Sequence, residues 1–193
     1  MMLPGEYNRI RSPDADGTDF PNPFPPYIAV HARRNDFDTF CPRDGGPIVD
    51  PTDCFTPLSA YAEAVEEVRS ELLRRPSLSG KDIPTIIFSD EPKHMNDWFR
   101  NRYHRPPGFS ESFWAEVDSL GWKSLDHESP EVNTDERWGI WYSNLIDTAL
   151  LAHAVGYIGT QRSTFSLMGA KRVAGWWNGP VRMVSPIVEK YLR

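Results

Sequence analysis

The feature that most constrains the fold of this chain is a regular alternation of short apolar runs with longer amphipathic segments. The runs "YIAVHA", "PTIIFSD", "VGYIGT" and "VRMV" are rich in β-branched and aromatic residues, which is typical of strands. The segments between them repeat apolar residues at the spacing of a helix. This alternation of strand and helix patterns predicts an α/β fold in which a doubly wound, Rossmann-like parallel sheet carries helices on both faces.

Each amphipathic segment predicts a helix with recognisable ends. "PLSAYAEAVEEVRSELLRR" opens at Pro57, which suits a first helical turn, and places acidic residues ahead of basic ones. "ESFWAEVDSLGW" predicts a helix that stops at Gly121. "ERWGIWYSNLIDTALLAHA" predicts one long helix, and its apolar majority indicates that this helix is well buried. "STFSLMGAKRVAG" predicts the last helix.

The length of the chain, 193 residues, fits one domain of ordinary size. Residues 1–26 are rich in Pro, Asp and Gly and predict an irregular arm, and residues 27–193 predict the Rossmann-like domain. Asp14 and Asp16 form a D-x-D triplet of the kind that holds a metal in some sugar transferases. Because no strand precedes it, we interpret the triplet as solvated and expect no metal site.

The composition argues against two classes of partner. A net charge of −6 disfavours nucleic acid, since phosphate binding needs a broad basic face. No apolar run approaches the ~20 residues of a membrane span.

The N-terminus has no apolar h-region, so we expect no signal peptide; either the protein is cytosolic or a longer chain precedes it. Cys41 and Cys54 form a disulfide in an oxidising compartment or stay as two thiols, and the sequence leaves both open.

Polar clusters follow the predicted strands, in "HARRND", "SDE" and "YIGTQRSTFS". In a doubly wound sheet, ligands bind outside the carboxyl ends of the strands. Ser163 or Thr164 is placed to cap the helix that follows the third cluster. The first N–H groups of that helix and its dipole would attract an anion such as a phosphate. The alternative is a plain N-cap without a ligand.

Three further residues each allow two interpretations. Arg33 carries a planar guanidinium that matches phosphate oxygens, so it could clamp a diphosphate against the helix N-terminus, or it could belong to a surface ion-pair network. Asp147 is a carboxylate in a largely apolar helix; it would suit two adjacent N–H donors such as those of a guanine edge, or it lies on a solvated face. His31 is a core histidine or a contact to a base or phosphate.

The motifs that carry these residues resemble those of one family. "VHARRNDF" resembles the H-x-R-R-x-D-F segment of GDP-fucose protein O-fucosyltransferases. "IIFSDE" is similar to the strand that ends in S/T-D-E in that family, and "IDTALLAHAVGYIGTQRSTFSLMGAKRV" resembles its strand-to-helix segment. The likeness runs in order over residues 27–184. The segment "DCFTPLSAYAEAV" is similar to the corresponding helix of fungal-type members. One departure is Asn35, where many relatives have Gly; Asn tolerates the left-handed backbone.

The resemblance implies the nucleotide-sugar-binding C-terminal half of a GT-B glycosyltransferase. It assigns His31 and Arg33 to the nucleotide and its phosphates, Asp147 to the nucleotide, and the S-T-F contacts to Ser163, Thr164 and Phe165. For the parent family it implies the lumen of the endoplasmic reticulum or Golgi.

The activity implied is inverting transfer of fucose from GDP-fucose, the donor substrate, to a hydroxyl acceptor, by implication protein Ser or Thr. Arg33 and the helix N-terminus would stabilise the charge that grows on the leaving GDP, so no metal or cofactor is needed.

A GT-B enzyme closes two Rossmann-like halves around donor and acceptor, and this chain has room for only one such half. We therefore expect a fragment or a shortened relative, and the sequence leaves open fucosyl transfer and non-catalytic GDP-sugar binding. A small doubly wound protein without a ligand is a further alternative. A Rossmann dehydrogenase is disfavoured, because no G-x-G-x-x-G follows the first strand.

Overall fold

A computed structural model of the protein describes residues 22, 24–34, 55–93, 108–127, 129, 131–139 and 141–185. The predictions for the D-x-D triplet, for Asn35 and for the pairing of the two cysteines lie outside the described residues.

The described residues form an all-parallel five-stranded sheet with helices on both sides. The strands are β1 (Ile28–Ala32), β2 (Thr85–Ser89), β3 (Lys123–Ser124), β4 (Gly156–Thr160) and β5 (Val181–Val184). The helices are α1 (Leu58–Leu73), α2 (Phe109–Ser119), α3 (Thr134–Trp138), α4 (Tyr142–His153) and α5 (Thr164–Trp177). This arrangement confirms the predicted doubly wound α/β class.

The strand order, β3-β2-β1-β4-β5, places β1 at the centre of the sheet. The chain builds outwards from β1 to β3 and then returns to the other side of β1 to form β4. His31 pairs with Phe88 of β2 and with Gly159 of β4, so these three strands end together. We call the side of the sheet where the strands end the carboxyl edge. The order reverses between β1 and β4, and doubly wound proteins bind ligands at such a reversal.

Both faces of the sheet are covered by apolar side chains. Ile28, Val30 and Ala32 point to one face and pack in a cluster with residues of α1 and α2. Ala29 and Tyr157 lie in a second cluster on the other face, with residues of α4 and α5. Burial on both faces explains why the strands read as nearly continuous apolar runs.

The ends of two predicted helices agree with the structure. α1 begins directly after Pro57, which is its N-cap. α2 ends just before Gly121, whose φ of +68° is in the left-handed region that stops a helix. Among the described helices, none combines the length and the apolar character needed to cross a membrane.

The prediction of one long buried helix over "ERWGIWYSNLIDTALLAHA" is wrong. The chain forms α3 and α4 instead, and Gly139 between them has a φ of +103°, which a continuous helix cannot contain. The prediction of deep burial is also wrong, because Trp138, Trp141 and Leu145 are 63%, 71% and 59% exposed. The short strand β3 lies in a segment for which the sequence pattern predicts no strand.

Gly156 gives a test of how tightly α1 packs on the sheet. A Cβ at this position would lie 2.5 Å from Val68 Cγ1 and 3.0 Å from Leu72 Cδ1. We expect Gly156→Ala to lower the free energy of unfolding by about 1–3 kcal/mol through overpacking. Gly175→Ala is the matched control, because a Cβ there meets no atom within 4 Å; in a helix it should raise stability by about 0.5–1 kcal/mol. Urea denaturation of the parent and both variants measures the free energy of unfolding. A Gly156→Ala variant as stable as the parent would contradict the close packing of α1 on the sheet.

Candidate functional site

The N-terminus of α5 lies at the carboxyl edge, directly after β4. Ser163 is its N-cap, as predicted: the residue is extended, and its Oγ accepts a hydrogen bond from Ser166 N at 3.2 Å. The N–H groups of Thr164 and Phe165 have no acceptor among the described residues, as expected for a first helical turn. The first turn contains no acidic side chain. This helix end can therefore accept an anion.

The turn that leads into the cap contains a residue in an unfavourable conformation. Arg162 has a φ of +65°, the left-handed region, which costs a non-glycine residue about 1–2 kcal/mol. Gln161 N donates to Val184 O at 2.9 Å and so fixes the turn to β5. Arg162 was not among the predicted site residues, although a basic residue immediately before a predicted N-cap is a signal for an anion site.

His31 connects β1 to the first turn of α5. Its Nδ1 lies 2.6 Å from Ser166 Oγ, and its ring centroid is 4.9 Å from that of Phe165. Ser166 Oγ also accepts from Thr160 N at 3.1 Å. Burial, and secondly the charge of Arg33, lower the pKa of His31 from 6.5 to about 3, so the ring is neutral. Of the two interpretations of His31, the core histidine is the one that describes these contacts.

The hydroxyl of Thr160 joins three elements at the same point. It accepts from Arg33 N at 2.8 Å and donates to His31 O at 3.1 Å. Tyr61 OH lies 2.7 Å away, and since the Thr160 hydrogen is used, Tyr61 is the donor. Burial raises the pKa of Tyr61, which keeps its phenol protonated for this role. Thr160 and Tyr61 were not among the predicted site residues: Thr160 lies in the "YIGTQRSTFS" cluster, where no signal set it apart, and Tyr61 lies in a segment that predicts a helix and no site.

Arg33 borders the site through its main chain, and its side chain reaches towards β2. Arg33 NH1 lies 3.1 Å from Asp90 Oδ2, and the two side chains are 31% and 18% exposed. The other oxygen of Asp90 accepts from Arg34 N at 2.7 Å. Asp90 therefore orients the guanidinium at the carboxyl edge while leaving part of it open to solvent.

Arg34, in contrast, is a buried structural cation. Its Cζ lies 4.8, 4.8 and 4.3 Å from the ring centroids of Phe55, Phe109 and Phe113. Its Nε is 3.5 Å from Glu91 Oε2, and Ser110 Oγ donates to the other oxygen of Glu91. Arg34 thus fixes the start of α2 to the end of β1. The sequence alone does not indicate which of the two adjacent arginines is buried.

Asp147, the remaining candidate, is held at a different place. Its Oδ1 lies 2.8 Å from Nε2 of His127, which follows β3, and this is its hydrogen-bond partner among the described residues. The structure therefore brings together His31, Arg33, Ser163 and Phe165 at the ends of β1 and β4, with the exposed Thr164 on the same turn. It does not join Asp147 to them by a hydrogen bond.

In the part of the chain that the structure describes, no group of three His, Cys, Asp or Glu side chains is arranged to hold an ion. A partly exposed guanidinium and a helix N-terminus favour an anionic ligand. The chain matches no protein-family model, and no curated protein has a significantly similar sequence.

Acid should destabilise the protein through His31. The pKa of this residue is about 3 in the folded state and about 6.5 when unfolded, so the unfolded state takes up a proton first. The stabilisation is complete above pH ~6.5 and falls by about 1.4 kcal/mol per pH unit between ~6.5 and ~3. We expect His31→Asn, which keeps a polar atom near the Nδ1 position, to show a shallower slope. Urea denaturation at pH 7, 6 and 5 gives the free energy of unfolding of both proteins. If this free energy changes with pH equally in the two proteins, the result would contradict the burial of His31.

The buried pair of Arg34 and Glu91 should behave as a unit. We expect Arg34→Met to lower the free energy of unfolding by about 3–5 kcal/mol, because it leaves the Glu91 carboxylate buried without its cation. Adding Glu91→Gln should recover a large part of the loss. A double-mutant cycle by chemical denaturation measures this coupling; two additive effects would show that the pair contributes no specific interaction.

Proposed function

We propose that this domain binds the nucleotide sugar GDP-fucose at the carboxyl edge, between the ends of β1 and β4. The observation that carries the proposal is the junction at Thr160, which ties the main chain of Arg33 to the turn that starts α5. The junction lies where the strand order reverses. The partly exposed guanidinium of Arg33 and the N–H groups of Thr164 and Phe165 therefore lie at the same edge of the sheet, and each favours negative charge.

The diphosphate is the part of the donor that these groups would hold. Arg33 would contact phosphate oxygens through its planar fork, and the first turn of α5 would donate its main-chain N–H groups. Asp90 already neutralises Arg33 in the structure, at 3.1 Å. The phosphate would therefore share the guanidinium with this carboxylate, which keeps the guanidinium oriented before the ligand arrives.

The resemblance to GDP-fucose protein O-fucosyltransferases supports fucose as the sugar of the ligand and guanosine as its nucleoside. If the chain is the donor-binding half of a GT-B enzyme, Asp147 accepts hydrogen bonds from the two N–H groups of the guanine edge. The reaction is inverting transfer of fucose to a hydroxyl, with protein Ser or Thr as the acceptor class. As the glycosidic bond breaks, charge grows on the β-phosphate, and Arg33 with the α5 N-terminus would stabilise it.

One observation favours a second function, GDP-sugar binding without turnover. The carboxylates that follow β2 are both engaged: Asp90 accepts from Arg33 and from Arg34 N, and Glu91 is buried with Arg34 and Ser110. Neither is placed to take a proton from an acceptor hydroxyl. A non-catalytic domain would bind GDP-fucose but show neither fucosyl transfer nor donor hydrolysis.

The phosphate role of Arg33 is tested by substitution. We expect Arg33→Ala to lower the affinity for GDP-fucose and for GDP roughly 100-fold or more, because charge-assisted hydrogen bonds are lost. Thr164→Ala should weaken binding less, since the main-chain N–H groups remain. Isothermal titration calorimetry measures both. Arg74→Ala is the matched control, because it removes the same charge from an exposed position after the end of α1, on the opposite edge of the sheet.

A variant Arg33→Ala that binds GDP as tightly as the parent would exclude the phosphate role. If GDP-fucose binds to the parent but is neither transferred nor hydrolysed over long incubation, the second function replaces the first.

A further inference from the structure

His127 is hydrogen-bonded at both ring nitrogens. Its Nε2 lies 2.8 Å from Asp147 Oδ1, and its Nδ1 lies 2.9 Å from Thr134 Oγ1. Thr134 N also donates to His127 O at 3.0 Å, so main chain and side chain hold the two residues together. The three residues come from three segments: the loop after β3, the start of α3, and the middle of α4.

The chemistry of the partners fixes the position of one proton. An ionised carboxylate only accepts hydrogen bonds, so Nε2 of His127 carries the proton that Asp147 receives. Nδ1 then accepts from the Thr134 hydroxyl when the ring is neutral. Thr134 is 2% exposed, which excludes it as a nucleophile that a substrate could reach. The chain of contacts therefore acts on Asp147.

The carboxylate at the end of this chain remains accessible. The Asp147 side chain is 21% exposed, whereas that of His127 is 14% exposed. One oxygen is bound by His127, and the described residues supply no hydrogen bond to the other. A carboxylate held in one orientation with part of its surface open is suited to accept adjacent N–H donors from a ligand.

We propose that His127, supported by Thr134, is a positioning residue that orients Asp147 to read the edge of the donor's base. This inference rests on the proposed GDP-fucose function and adds the residue that sets its base specificity. Guanine offers Asp147 two adjacent N–H donors, at N1 and at the exocyclic amine, whereas hypoxanthine offers one. A correctly oriented carboxylate distinguishes the two, and a freely rotating one does so less well.

The test compares binding of GDP with binding of inosine diphosphate, which lacks the exocyclic amine. For the parent we expect GDP to bind at least about 10-fold more tightly, the value of one charged hydrogen bond. Thr134→Val and His127→Phe should each reduce this ratio by roughly 5-fold, with little change in the affinity for inosine diphosphate. In an Asp147→Asn background, Thr134→Val should leave the ratio unchanged, because the group that it positions is gone.

Thr148→Val is the matched control, since it removes a hydroxyl one residue from Asp147 that donates within α4, to Asn144 O. It should keep the parent's ratio. If Thr134→Val weakens both nucleotides equally, or if it changes the ratio as much without Asp147 as with it, the role is merely structural and the proposal is overturned.

A measurement without ligand separates this proposal from the function on which it rests. Long-range ¹H–¹⁵N NMR should show a proton on Nε2 of His127 in the parent. A spectrum with Nε2 unprotonated overturns the positioning role even if GDP binds. A parent that binds neither nucleotide overturns the proposed function, and the base reading with it, whatever the state of His127.

Discussion

The hydroxyl of Thr160 is the contact on which the candidate site depends. It is bonded to the main chain of β1 on both sides, to Arg33 N and to His31 O, and it accepts from Tyr61 of α1. A single side chain thus sets the relative position of β1, β4 and α1 at the place where the strand order reverses. Because Ser166 bonds both to Thr160 N and to His31, the start of α5 is fixed to the same point.

The two adjacent arginines that follow β1 take opposite roles because their side chains lie in different surroundings. Arg33 and Arg34 have identical chemistry, but one guanidinium stays partly exposed beside Asp90 while the other is buried among three phenylalanine rings. The buried arginine connects the end of β1 to the start of α2, and the partly exposed one lies beside Asp90 at the carboxyl edge. The ion pair with Asp90 nevertheless costs the exposed arginine some attraction for a ligand.

Much of the fold could be predicted from local patterns. The apolar runs of β1, β2, β4 and β5 and the cap at Ser163 are signals that lie within a few neighbouring residues, and the structure has all of them. The break at Gly139 could not be predicted in this way, because an apolar majority on both sides of a glycine favours a continuous buried helix. The exposed tryptophans beside it show that aromatic content is a poor guide to burial when the helix is short.

The site residues were predictable by type but not by contact. The segments predicted as strand ends place His31, Arg33 and Ser163 correctly along the chain, yet the bond between His31 and Ser166 spans 135 positions and leaves no local trace. The pairing of Asp147 with His127 depends on the path of the chain after β3, a strand that no apolar run in the sequence predicts. The two equal arginines differ only through three rings that the fold brings around one of them.

The central place of β1 has a consequence for the way the protein is made. Among the described strands, β1 is the first to be synthesised, but one of its two neighbours, β4, begins only at Gly156. Until then, one side of the central strand has unpaired N–H and C=O groups, which makes it a template for pairing with another chain. This edge of β1 therefore stays open to pairing with another chain while α1 to α4 are synthesised, and the site is complete only when the start of α5 has followed.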